Sequence, residues 1–182
     1  MVTKALIRIA TKDKDGVEIL RFERDSDSFV TNFVKFLGTS YYGVTAPAMV
    51  DTGGSARGVS LNGSLPVNAP VGNTHYGVVV GSGGTATTPD MYSLESIIEN
   101  GSLAGYLSYR ETAVNTVVDD GSYIDLEVTR TLINYNTSPV QINEVALIGY
   151  GSYYFMILRD VVDVAAPGEG TVDCSVILRT EL

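Results

Sequence analysis

From residue 76 to residue 182 the chain is a succession of short apolar, β-branched segments, each cut off by turn residues. The segments are "HYGVVVG", "SLESIIENGSLAGYLSYRET", "NTVVDDGSYIDLEVTRTLIN", "VQINEVALIGY", "YYFMILRDVV" and "TVDCSVILRTEL". Asn100-Gly101 and Asp120-Gly121 are dipeptides that readily supply the two positive-φ residues of a tight hairpin turn. Strands joined by two residues must be antiparallel, because a parallel pair needs a long crossover. This spacing of strands and turns predicts an all-β chain, an antiparallel β-sandwich of jelly-roll-like form. Alternation within the segments assigns the core to Val78, Val80, Ile97, Leu107, Ile124, Leu126, Val128, Val145, Leu147, Phe155, Ile157, Val176 and Leu178. A slip of one residue would turn any of these sets to solvent.

The first 42 residues add a hairpin and a helix. Residues 4–10 and 17–23 read as two strands around "KDKDG". Asp13, Asp15 and Gly16 match part of a calcium-binding loop. The first ligand position would be Thr11 and the twelfth Phe22, where a bidentate Glu is required, so a plain Asp-Gly turn is the expectation. A helix is predicted over residues 28–37, capped by Ser28 and stopped by Gly38, with Phe29, Phe33 and Phe36 or Leu37 on one stripe. Residues 43–75 carry no period. Val44, Met49, Val50, Val59, Leu61, Leu65, Val67 and Val71 are scattered among Gly, Pro, Ala, Asn and Ser. The expectation is one domain over 1–182, with 43–75 as an extended loop or arm laid on a neighbouring subunit or on a major shell protein, Arg57 reaching an acidic partner surface. On that view, deleting residues 48–70 leaves a folded sandwich that no longer docks.

Gly81, Gly83 and Ala86 spell G-x-G-x-x-A after a strand, one form of the dinucleotide fingerprint. That fold needs a long helix after the glycines and a parallel strand after it. Here "TTPDMY" follows, with Thr88 and Pro89 suited to open a turn of about two revolutions, and antiparallel hairpins come next. The glycines therefore read as a loop. The single histidine, His75, beside Tyr76, has no G-x-S-x-G nucleophile motif to serve. Its pairing with Cys174 lacks zinc-ligand spacing, and Cys174, the only cysteine, can form no internal disulfide. Asp119 and Asp120 are explained by the turn before Gly121. No catalytic, cofactor-binding or metal-binding residue is assigned, and no cofactor is expected. The net charge of −9 disfavours a phosphate backbone. No apolar run reaches the roughly 18 residues of a membrane helix. Residues 1–35 hold seven basic and six acidic side chains, against five arginines and fifteen acids in the rest, so the two parts are expected to face different surroundings.

The order "SFVTNFVKFL", "GVVVGSGGTATTPDMYSLES", "INEVALIGY", then "FMILRDVV" and "APGEGTVDCSVIL" resembles virion structural proteins of tailed bacteriophages. These often carry a V-G-x-G-x-T-like loop, a P-x-x-Y-x-L turn, an EV-x-L strand, a late strand bearing Arg-Asp, and a Pro-Gly turn before the final strand. The likeness spans about residues 26–178. It implies a non-enzymatic β-sandwich in the virion, most naturally a capsid decoration or auxiliary subunit. Its partners would be other virion proteins, such as the major capsid or tail proteins, and copies of itself in a homo-oligomer, without direct contact to nucleic acid or membrane. A second expectation is a tail, collar or fibre-associated protein with a carbohydrate- or receptor-binding role, for which Tyr41-Tyr42 and Tyr153-Tyr154 could supply stacking rings.

Overall fold

The computed structural model describes residues 3–26, 29–42, 48–58 and 64–181. Among the described residues, eleven strands and one helix follow in order: β1 (Thr3–Lys12), β2 (Glu18–Ser26), α1 (Thr31–Tyr42), β3 (Met49–Val50), β4 (Ala56–Arg57), β5 (Gly77–Gly81), β6 (Ser108–Val114), β7 (Val118–Asp119), β8 (Tyr123–Ile133), β9 (Val140–Tyr150), β10 (Tyr154–Ala166) and β11 (Thr171–Glu181). A six-stranded sheet runs β2-β1-β11-β8-β6, with β7 following β6 along β8, and a three-stranded sheet runs β10-β9-β5. Every pairing between these strands is antiparallel. The chain is thus an all-β sandwich of two packed antiparallel sheets. A jelly roll in its usual form has eight strands in two sheets; here the two facing sheets hold six and three.

Pairing partners share a face, so the register assigns Ala5, Ile7 and Ile9, Val172, Cys174 and Val176, and Val128 and Leu132 to one side of the large sheet. That side meets the small sheet, and all eight are buried in one cluster with Val78, Val80, Val145 and Leu147. Nine of the thirteen core assignments are buried. Ile124, Leu126 and Leu178 are half-buried, lying toward one end of the large sheet. Ile97 is exposed and Ile98 is buried in its place. The reason is that residues 93–112 are not the hairpin expected from Asn100-Gly101. Residues 93–107 form only single bridges, Gly81 to Ile97 and Asn100 to Leu107, while β6 pairs with β8. The Asn100 side chain accepts from Tyr109 N, and residues 95–98 lie against β5 instead, with Ile98 N donating to Val80 O.

The first hairpin forms as expected. Asp13 accepts from the Asp15 and Val17 amides and Gly16 holds a φ of 80°, so its carboxylate serves the turn. The helix begins at Thr31 and runs on through Gly38 to Tyr42. The expected cap, Ser28, lies outside the described residues. The start is fixed from outside: Thr31 donates both N–H and hydroxyl to Pro89 O, and Val30 N donates to Ile157 O. One helical glycine costs about 1 kcal/mol relative to Ala, which such anchoring and packing on β10 outweigh. Residues 88–91 form a single turn, shorter than the two revolutions expected, closed by Met91 N to Thr88 O.

The expected arm is attached to its own domain wherever it is described. Val50 exchanges two hydrogen bonds with the Asn32 side chain, Thr52 N donates to Tyr154 O, and Met49 is fully buried. Arg57 pairs with Asp51 of its own chain at 2.7 Å. Further on, Tyr150 N donates to Pro66 O, Thr112 N to Ala69 O and Gly72 N to Tyr109 O. Main-chain pairing does what the missing apolar period could not. Val44, Val59 and Leu61 lie outside the described residues.

On the outer face of the large sheet Lys4 pairs with Asp25 and Glu181, Arg8 with Glu23 and Glu127, and Lys12 with Asp173. These cations are met by acids of their own segment, Glu23 and Asp25, and by acids of later strands, Glu127, Asp173 and Glu181.

Candidate functional site

The glycine loop has a buried anion under it, supplied by the chain itself. Glu144 on β9 is fully buried and accepts from Gly83 N at 3.1 Å, Glu95 N at 3.1 Å and Ser96 N at 2.9 Å. Its charge is met by fully buried Arg159 on β10, whose Nε donates at 2.7 Å. A Cβ on Gly81 would overlap the Glu144 carboxylate and Ser96 O, and one on Gly83 would stand 2.7 Å from Glu144 Oε1. Both glycines are thus required for close approach of backbone to an internal carboxylate.

Arg159 extends this node outward. Its Nη1 donates to Thr85 O at 2.8 Å and to Thr87 Oγ1, and touches Met91 Sδ. Its Nη2 lacks a hydrogen bond and stands 4.0 Å from Glu95 Oε2, at the base of a surface pocket lined by Thr85, Met91, Tyr92, Ser93, Leu94 and Glu95. The Glu95 carboxyl is held below its ordinary range, chiefly by the Thr85 amide. The glycine loop, the Pro89–Tyr92 turn, Glu144 and Arg159 are widely separated in the sequence, and the fold joins them at one point. The signal for that point was charge inside two apolar strands, Glu144 in "INEVALIG" and Arg159 in "FMILRDVV".

A second buried cation holds the irregular segment. Arg130 on β8 lies 1% exposed and donates to four carbonyls: Arg110 O, Tyr76 O, Val78 O and Pro70 O. Burial pulls its pKa down to about 10. Its guanidinium lies 4.8 Å from the ring centroid of Tyr109, whose buried hydroxyl donates to Ile98 O at 2.8 Å.

On the surface, the turn between β9 and β10 gathers aromatic rings. His75 stacks on Tyr154 at 5.3 Å between centroids; Tyr154 lies 5.1 Å from Tyr150 and 6.1 Å from Tyr76, and Tyr76 lies 5.5 Å from Tyr150. Tyr153, from the same turn, sits under the Arg57 guanidinium at 4.1 Å. Ser152 holds a φ of 71°, a left-handed conformation rarely adopted by residues other than glycine. Of the tyrosine pairs named from sequence, Tyr153-Tyr154 belongs to this cluster; the side chains of Tyr41 and Tyr42 lie outside the described residues. Tyr150 was missed, although "YGSYY" places three tyrosines in five residues. His75 and Cys174 do not meet in a site: His75 is on this surface and Cys174 is buried in the core. Among the described residues, no group of three or more His, Cys, Asp or Glu side chains is placed to hold a metal ion.

The edges of the two sheets differ. The small sheet is bridged at both, by Phe29 to Leu158 on β10 and by Ile97 to Gly81 on β5. The large sheet ends at β2 on one side and at β6 and β7 on the other, with no further described strand. Val17, Ile19 and Leu20 are exposed at the first edge, and Val114, Val117 and Val118 at the second. Compared with known proteins, the chain matches no family model, no curated protein and no solved structure.

Proposed function

We propose that this chain is a non-enzymatic structural subunit of a tailed-phage virion, a capsid decoration or auxiliary protein that docks on neighbouring virion proteins and on copies of itself. The observation that carries the reading is the edge of the large sheet at residues 113–119, beyond the stretch of β6 that segment 69–72 covers through Tyr109 and Thr112; β2, at the other edge, is heavily charged. Unpaired strand edges are templates for pairing with another chain, and natural proteins cover or charge them when they are to stay monomeric. Residues 113–118, "AVNTVV", are exposed throughout and carry no charge and no proline. Strand addition at such an edge gives affinity through the main chain and leaves the outer face of the sheet, with its ion pairs, to solvent. The order of motifs shared with phage virion proteins supports the same reading, and so would a jelly-roll-like connection of the strands.

The test is to size the purified chain by light scattering, then sediment it with empty heads and tail tubes of the phage that encodes it. The expected result is recovery in the particle fraction at a fixed copy number. Val117→Lys together with Ile19→Lys should abolish that recovery without changing the far-ultraviolet circular dichroism spectrum. A chain that stays monomeric and associates with no particle component is not a virion subunit.

A further inference from the structure

We infer that the aromatic cluster around the 150–154 turn is a saccharide-binding surface. The rings of Tyr76, Tyr150 and Tyr154 lie within 21–37° of parallel at 5.1–6.1 Å between centroids. At these distances and tilts no pair is stacked fully face to face. Tyr150 and Tyr153 are 40% and 41% exposed, and His75 is exposed beside them.

The chemistry of the rim selects the ligand. The aliphatic residues exposed at the edges of the large sheet suit a protein strand. Near the rings lie the polar residues Arg57, Asp51, Asn73 and Ser152, with Leu65 against the Gly149 and Gly151 backbone. Arg57 stands over Tyr153 while paired to Asp51, and Asn73 ties the His75 and Tyr76 amides to its side chain. A pyranose presents a face of polarised C–H bonds, attracted to the negative face of an aromatic ring, and an edge of hydroxyls that needs donors and acceptors. Partly exposed rings with polar groups near them match both requirements. The positive-φ Ser152 presses three tyrosines into one five-residue turn, a local strain of the kind that clusters at binding sites.

The test uses the free chain, so it stands apart from particle docking. The protein is applied to an array of purified oligosaccharides, including chitin pentamers and β-linked glucan hexamers, and hits are measured by saturation transfer from the tyrosine ring protons. At least one saccharide should bind, and Tyr150→Ser with Tyr153→Ser should weaken it at least tenfold. The double variant should still unfold cooperatively, with a melting temperature lower by only a few degrees for the lost ring contacts, and Val117→Ser should bind as the parent does. A chain that binds no saccharide on the array, or binds equally well without the two tyrosines, overturns the inference. So does the loss of particle docking in the double variant when no saccharide binds, since the patch is then a protein contact.

Discussion

Glu144 and Arg159 bury opposite charges 2.7 Å apart with no exposure of either. Replacing both partners of such a pair by apolar groups is often nearly neutral, whereas removing one leaves an uncompensated charge and costs about 3–5 kcal/mol. Here the carboxylate also accepts three amides, so the two cases converge. Arg159→Met should lose about 3–5 kcal/mol in urea unfolding. The double variant with Glu144→Leu should recover little of it, because the amides of Gly83, Glu95 and Ser96 stay unpaired. Full recovery would mean that the pair matters only as a pair. In sequence, Glu144 and Arg159 were visible as charges inside apolar runs, but nothing local says that the two strands are neighbours. Gly81 and Gly83 were legible as a loop, while the reason for two glycines, close approach to a buried oxygen, needed the fold. Cys174 allows a second check at this scale. Burial pushes its thiol up to about 12, so at neutral pH it is neither accessible nor a thiolate. A thiol reagent such as DTNB should label it only as fast as the sandwich opens; rapid labelling of the native chain would contradict its burial between the sheets.

At the scale of elements, the strands were legible wherever alternation ran long, as in β8 and β11, and failed where side chains took over the role of a partner strand. Residues 93–99 carry strand composition, yet they make a single bridge to β5 rather than a ladder, and the Glu95 and Ser96 amides are taken by the Glu144 carboxylate. Asn100-Gly101 therefore had no first strand to turn from, and β6 pairs with β8 instead. The irregular segment 64–76 is held by the Arg130 guanidinium in the same manner. Arg130→Met leaves the carbonyls of Pro70, Tyr76, Val78 and Arg110 short of a donor, and should free this segment to limited proteolysis before global unfolding. Cleavage elsewhere first would show that the segment is held by its main chain alone. Between strands, Asp173 on β11 bonds Lys12 at 2.7 Å and Thr131 at 2.6 Å. Desolvation raises its pKa, but the bonds from Lys12 and Thr131 outweigh it, so the folded value lies below the ordinary one. A depressed carboxylate stabilises the fold above its unfolded pKa, and that stability is lost as pH falls through the folded value. Asp173→Asn should thus cost stability at pH 7 and much less at pH 3, measured by thermal melts at both. A difference that grows in acid would reverse the sign of the argument.

For the whole molecule, the unequal sheets determine which peripheral segments the sandwich can lose. Composition suggested that residues 48–70 could be deleted without harm to the fold, and the structure divides that stretch in two. Residues 48–58 form the β3–β4 ribbon, which holds α1 through Asn32 and buries Met49, but Met49 lies outside the main cluster between the sheets. Residues 64–72 are bonded into β6 and β9 through Ala69, Gly72 and Pro66, and Pro70 is one of the four carbonyls that hold Arg130. Replacing 48–58 by a short Gly-Ser linker removes one fully buried methionine, worth about 1.5–3 kcal/mol, and a few polar ties. The chain should still unfold cooperatively, at a temperature lower by several degrees. Replacing 64–72 in the same way strips partners from two sheets and from a buried cation, and should leave no cooperative transition. The pair of variants, compared by calorimetry, separates a segment laid over the sandwich from one built into it. Equal losses in the two would mean that the whole stretch is a single unit, and a cooperative transition in the second would mean that the sandwich closes without it.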